Sequence, residues 1–182
     1  IRSLATINMA AYQGAVAFKR VTDIIDKDIK IKELIDAPKL ILKNSDIKFN
    51  NIEFKYESTE EKAIKSISFY IKGNTMTAFV GHSGAGKSTI INLLPRFYDP
   101  QKGSIEIDNQ NIKDVSLYSL RKNLSLVSQD VILFDDSVKN NIAYAKPEAS
   151  EEEILEACKF AASDMFIRKL PQGYDTMIGE NG

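Results

Sequence analysis

Residues 81 to 89 read Gly81-His82-Ser83-Gly84-Ala85-Gly86-Lys87-Ser88-Thr89, a complete G-x-x-x-x-G-K-[ST] pattern. Few sequence features constrain a fold as tightly. Such a loop works only where a strand ends, the glycines let the backbone wrap, and a helix begins. The flanks fit that requirement. Thr75-Met76-Thr77-Ala78-Phe79-Val80 is a short apolar run that reads as a buried strand, and Ser88 to Leu94 is an apolar-faced helix. Backbone N–H groups at the helix start make an anion site. Lys87 is then the cation for the β- and γ-phosphates, and Ser88 a hydroxyl for Mg²⁺. The pattern implies a nucleoside triphosphate ligand and an α/β fold.

The rest of the chain divides by its hydrophobic period. Residues 1–36 carry a helical pattern, with Val21, Ile24 and Ile25 at i, i+3 and i+4, and Pro38 sets its limit. From Asp46 the period is two. Ile47 and Phe49 alternate, then Ile52, Phe54 and Tyr56 alternate in the opposite phase, so Asn50-Asn51 reads as a bulge or turn. Ile67, Phe69 and Ile71 form another strand pattern. Ser104 to Ile107 is a further short strand, closed by the turn Asp108-Asn109-Gln110. Ser116 caps a helix through Lys122, and Leu124 to Val127 reads as a second core strand beside Thr75–Val80. Further on, Ser150 and Glu153 make an S-x-x-E capping box, Ser163 starts one more turn, and Pro171-Gln172-Gly173 breaks it. The layout is an antiparallel β patch, a phosphate-loop α/β core with only two clear strands, and a helical extension. That core is incomplete by the usual strand count.

Composition excludes several classes. Net charge is −1, so no basic field draws the chain to nucleic acid. The one cysteine, Cys158, cannot form an internal disulfide and sits in a helical pattern, which is a packing role. No His/Cys cluster has metal-ligand spacing. No apolar run reaches the roughly 20 residues of a membrane span. A chain that begins at Ile1 without a methionine is read as part of something longer.

Several segments together resemble the nucleotide-binding domain of ATP-binding cassette (ABC) transporters, of the exporter type in which membrane and nucleotide-binding parts are fused. Phe54-Lys55-Tyr56 is similar to that family's aromatic A-loop, and Gly81–Thr89 to its Walker A loop. Leu94-Pro95-Arg96-Phe97-Tyr98-Asp99-Pro100 with Gly103 is similar to the stretch after the first core helix. Leu120-Arg121-Lys122-Asn123 with Val127-Ser128-Gln129-Asp130 resembles the Q-loop approach. Phe134 to Tyr144 resembles the start of the helical subdomain, and Leu170 to Thr176 the approach to the signature sequence.

The resemblance implies roles and partners. Tyr56 would stack on adenine through its π face, and Phe or Trp would serve as well. Gly81 to Thr89 would hold the phosphates of ATP, and Ser88 and Gln129 would ligate Mg²⁺. Lys87 and Gln129 would be the catalytic pair, with Gln129 on the ion or the attacking water. His82, the only histidine, takes a variable position of the loop and is not the switch histidine. Arg96, Arg121, Lys122 and Arg168 read as surface or interdomain charges. Residues 1–36 would be the end of the last transmembrane-domain helix and its linker. Residues 37–182 would be the N-terminal part of the nucleotide-binding domain, with the helical subdomain from about 131. The partners implied are the chain's own or a partner transmembrane domain and a second nucleotide-binding domain. The site would face the cytoplasm from a membrane.

The chain departs from the family pattern in one respect. Within its 182 residues there is no L-S-G-G-Q signature, no apolar strand ending in Asp-Glu and no switch histidine. The expectation is that these residues bind ATP without hydrolysing it, whereas the longer parent hydrolyses it. Other classes remain in view: a non-catalytic nucleotide-binding sensor or interaction module, a soluble ABC ATPase of translation or DNA repair, and a small-molecule phosphate-loop kinase. The sequence does not name a transported substrate.

Overall fold

The computed structural model describes residues 2–129 and 131–179, with backbone alone for residues 2–8 and 10. The chain forms two compact units, one up to Ser125 and one from Leu126 onward.

The first unit begins with helix α1, Arg2–Ile25. It stops well short of residue 36, and the reason is tertiary. The backbone of the following linker is committed elsewhere. The Lys32 carbonyl accepts from Arg96, the Pro38 carbonyl accepts from the Ser116 N–H, and the Leu40 N–H donates to Ser119 Oγ. Asp36 has φ +59°, outside any right-handed helix. Among the described residues no helix is long and apolar enough to cross a membrane.

The sheet of this unit is antiparallel. Strands β1 (Ile47–Phe54), β2 (Ile64–Ile71), β3 (Lys102–Ile107) and β4 (Gln110–Asn111) lie in the order β2-β1-β3-β4. The change of phase in β1 is a bulge. Its register shifts between Phe49 and Ile52, and Asn51 has φ +45°. An extra residue there turns both apolar series to one face, so Phe49, Ile52 and Phe54 are all buried. They pack with Ile64, Leu93, Ile105, Ile107 and Leu120 into the unit's core.

The turn between β3 and β4 has Asp108 at φ +50° and Asn109 at φ +61°, the backbone of a type I′ hairpin. Asp108 also clamps the approach to β1. Its carboxylate accepts from the N–H groups of Lys43, Asn44, Ser45 and Asp46 at 2.7–3.2 Å. These donors, Lys43 foremost, hold its pKa below the usual carboxylate range. Helices α2 (Lys87–Leu93) and α3 (Leu117–Lys122) complete the unit, and Ser116 caps α3 by accepting from the Ser119 N–H.

Two sequence expectations fail here. Neither Thr75–Val80 nor Leu124–Val127 belongs to a sheet among the described residues. Met76 is 100% exposed, Val80 94% and Val127 92%. An apolar run becomes a strand only with a neighbour to take its backbone hydrogen bonds. Phe79 is anchored edge-on to Phe69 at 5.5 Å, and Leu124 packs against the core.

Arg96 is a second correction. It is not a surface charge but 2% exposed. It closes α2 with a Schellman pair, its own N–H donating to the Leu93 carbonyl and the Phe97 N–H to the Asn92 carbonyl. Arg121 donates to the carbonyls of Pro95 and Arg96, each at 3.0 Å, from an exposed position. Lys122 and Arg168 are on the surface as expected, beside Tyr118 and Asp164 respectively.

The second unit contains helices α4 (Val138–Ala143), α5 (Glu151–Phe160) and α6 (Asp164–Ile167), then a 3₁₀ turn over Gly173–Asp175. A two-stranded ribbon pairs β5 (Asp136–Ser137) with β6 (Met177–Ile178). The capping box forms as read: Ser150 Oγ accepts from the Glu153 N–H, and the Glu153 carboxylate accepts from the Ser150 N–H. Val138, Ile154, Cys158 and Ile167 are the core, so Cys158 is a packing residue.

Candidate functional site

The phosphate loop is built by two left-handed glycines. Gly84 has φ +79° and Gly86 φ +85°. Gly86 immediately precedes α2. A Cβ on it would lie 2.8 Å from the Ala63 carbonyl oxygen, so the loop passes against the start of β2 with no room for a side chain. Around Gly84 there is open space. The two glycines therefore serve different ends: Gly84 turns the chain, whereas Gly86 turns it and fits it to the sheet.

Lys87 is half-buried. Its Nζ donates to the carbonyls of Gly81 at 2.8 Å and His82 at 2.7 Å, which draws the ammonium across the loop. The Ala85 N–H donates to the His82 carbonyl at 3.2 Å and closes the turn between them. His82 contributes its backbone here, and its side chain is in an exposed position. Ser83 and Ser88 are exposed, while Thr89 is buried.

Tyr56 follows the end of β1. Its hydroxyl and the Thr89 Oγ1 lie 3.1 Å apart in a hydrogen bond, which ties the A-loop strand to the phosphate-loop helix. Its ring meets Phe54 edge-on at 4.8 Å and Tyr98 at 5.1 Å. Phe54, Tyr56 and Tyr98, with Lys30 and Ile31 of the linker, line a cavity of about 430 Å³. Lys30 pairs with Glu57 beside it and holds that carboxyl below the usual range.

The described contacts thus join Tyr56 to Thr89 and Lys87 to Gly81 and His82. Gln129 lies in the second unit, in an exposed bend. Asp130, the last residue of the Q-loop approach, lies outside the described residues. Tyr98 and Lys30 join this site only in the fold. The paired aromatics Phe97-Tyr98 are a signal for the first; nothing local marks the second.

The Ser88 hydroxyl is a neutral hard oxygen at an exposed position in the loop, a donor type that suits magnesium. Among the described residues no group of three or more His, Cys, Asp and Glu side chains could hold a metal alone. The ion would therefore come with phosphate oxygens as its remaining ligands.

Comparison with known proteins gives a consistent picture. A family model described as ABC transporter matches residues 64–178. A second, described as RsgA GTPase, matches residues 4–117 and shares with the first the segment that carries the phosphate loop. An ATP-dependent lipid A-core flippase of Syntrophus aciditrophicus is 43% identical over 182 residues, 100% of this chain and 30% of that protein. A putative multidrug export ATP-binding/permease protein of Staphylococcus aureus is 47% identical over 162 residues, 89% of this chain and 28% of that protein. The solved structure of a bacterial Atm1-family ABC exporter with ATP bound superposes with a TM-score of 0.85. It is 40% identical and covers 98% of this chain, which matches 31% of its length. The chain therefore spans less than a third of the relatives it matches.

Proposed function

The chain belongs to the ABC transporter family, and from that premise we propose that it is the ATP-binding part of an exporter. Its longer parent couples ATP binding and hydrolysis to movement of a substrate across a membrane. The observation that carries this reading is the phosphate loop, with Gly84 and Gly86 left-handed and the Lys87 ammonium drawn across it. In this reading Lys87 and the loop N–H groups of residues 81–89 bind the phosphates. Tyr56, held by Phe54, Tyr98 and Thr89, presents its ring to adenine. Ser88 and Gln129 hold Mg²⁺, which neutralises phosphate charge when bound. Catalysis is then mostly positioning and charge stabilisation.

The partner of the site is a second nucleotide-binding domain. Residues 1–36 are the end of the last transmembrane-domain helix and the linker, and residues 37–182 the N-terminal part of the nucleotide-binding domain, with the helical subdomain from about 131. The nucleotide site faces the cytoplasm.

Lys87→Ala in the full-length gene product should abolish most triphosphate affinity, measured with a fluorescent ATP analogue. Equal affinity in wild type and variant would defeat the assignment. The 182-residue chain alone should bind ATP without turning it over, because these residues contain no L-S-G-G-Q and no Asp-Glu closing an apolar strand. Phosphate release that depends on Lys87, at about one per second or faster, would contradict that.

A further inference from the structure

We propose that Arg96 is a positioning residue that couples the linker after α1 to the phosphate-loop helix, so that occupancy of the loop is felt in the linker. This rests on the ATP-binding reading above and goes beyond it.

Arg96 is 2% exposed and uses its whole fork. Nε and Nη2 grip the Asp99 carboxylate, each at 3.1 Å. Nη1 donates to the carbonyls of Ile112 at 3.4 Å and Lys113 at 3.3 Å. Nη2 also donates to the Lys32 carbonyl at 3.3 Å, in the linker. A guanidinium is planar and rigid, so it cannot turn toward one of these partners without loosening the others.

The backbone at Arg96 adds a second, independent sign. Arg96 is the residue after the last turn of α2, with φ +53°. That position usually belongs to glycine or asparagine. An arginine there accepts backbone strain, and the observed return is the side-chain fork that the strained backbone aims inward. Gly86 and Lys87 stand at the other end of α2, a helix of 7 residues. A displacement of one end of so short a helix on binding phosphate would be carried to Arg96 at the other. The linker is also held by Glu33 Oε1 accepting from the Leu117 N–H at 2.8 Å, by the pairing of Lys30 with Glu57, and further on by the bonds of the Pro38 carbonyl and the Leu40 N–H. None of these bonds touches α2. Among the described contacts, the Arg96–Lys32 bond ties the linker to the residue that closes that helix.

The test is hydrogen exchange on the full-length gene product, with and without Mg-ATP, followed at the amides of residues 27–37 and 87–94. In the wild type, ATP should slow exchange in both segments. Arg96→Gly combined with Asp99→Asn suits the left-handed backbone and leaves no unpaired carboxylate. That variant should keep its ATP affinity and the response of 87–94. Exchange in 27–37 should be roughly tenfold faster and indifferent to ATP. Arg96→Lys, which keeps the charge against Asp99 but lacks the fork, should give the same loss of linker response if the double variant does not fold. A residue with a merely structural role would lower thermal stability and leave the linker responding to ATP; that outcome overturns the coupling alone. Absence of ATP binding in the wild type would overturn the functional reading as well.

Discussion

Gly84 and Gly86 differ by one structural fact, and that fact sets a measurable gap. Both have positive φ, +79° and +85°, so an L side chain at either costs about 1–2 kcal/mol of left-handed strain. Only Gly86 adds a steric cost, because its Cβ would stand 2.8 Å from the Ala63 carbonyl oxygen, whereas nothing lies within 4 Å at Gly84. That contact is with backbone and cannot be relieved by a rotamer change. Overpacking of this kind costs about 1–3 kcal/mol more. Gly84→Ala should thus destabilise by about 1–2 kcal/mol, and Gly86→Ala by about 2–5 kcal/mol from the two terms together. Chemical denaturation should show an unchanged slope and two different midpoints. Gly84→Asn should recover most of the loss at 84, since asparagine tolerates this backbone, while Gly86→Asn should recover little. Nucleotide titration, run separately, guards against reading a binding defect as a folding one. Equal midpoints for the two alanine variants would refute the reasoning, since they would mean that the β2 backbone yields to Gly86 at no cost.

Other consequences are more direct. Tyr56→Ala should weaken ATP binding by about 1–3 kcal/mol through loss of stacking. Tyr56→Phe should keep the affinity but lose about 0.5–1.5 kcal/mol of stability with the Thr89 hydrogen bond; an affinity loss equal to that of Ala would rule out the stacking account. Leu93→Ala, at a fully buried position, should cost about 2–5 kcal/mol, and a loss below 1 kcal/mol by denaturant titration would remove Leu93 from the core. Ser150→Ala should cost about 0.5–2 kcal/mol by breaking the capping box of α5, visible as a lower thermal midpoint. Asp108 gives a pH signature. Its folded pKa is depressed, so its contribution is present above the unfolded value of about 3.9 and is lost as pH falls through the folded one. Asp108→Asn should therefore flatten the acid limb of the stability curve, and an unchanged limb would mean that its four N–H contacts do not act in solution.

The phosphate loop, the β1 bulge, the hairpin turn and both Ser caps were legible in the sequence because each is local. Gly86 precedes Lys87 by one residue, Asn50-Asn51 sits where the apolar phase changes, and Ser150 stands three residues before Glu153. The information and the physics share the same few residues. Arg96 shows the opposite case. Its neighbours Pro95 and Phe97 say nothing of the carbonyls of Lys32, Ile112 and Lys113 that its fork holds. Those partners lie far along the chain, so a charged residue between helix and loop reads as exposed until the fold brings them together.

The end of α1 and the segment before the phosphate loop carry the same lesson about backbone bonds. Apolar spacing at Val21, Ile24 and Ile25 supports a helix, yet beyond Ile25 the Lys32 carbonyl binds Arg96 and Asp36 takes a left-handed φ, and neither fits a helix through residue 36. A helix through them would have to give both up. Thr75–Val80 has the complementary problem: the right residues for a strand and, among the described residues, no ladder partner. Residue pattern sets what a segment is able to form, and the available hydrogen-bond partners decide whether it does. The site itself follows that rule. Tyr56 is placed by a strand that has two neighbours, and Lys87 by a helix whose far end Arg96 anchors to two separate stretches of chain, at Lys32 and at Ile112–Lys113. A change at Gly86 or Arg96 should therefore be felt at the residues each one meets, Ala63 for the first and Lys32, Ile112 and Lys113 for the second.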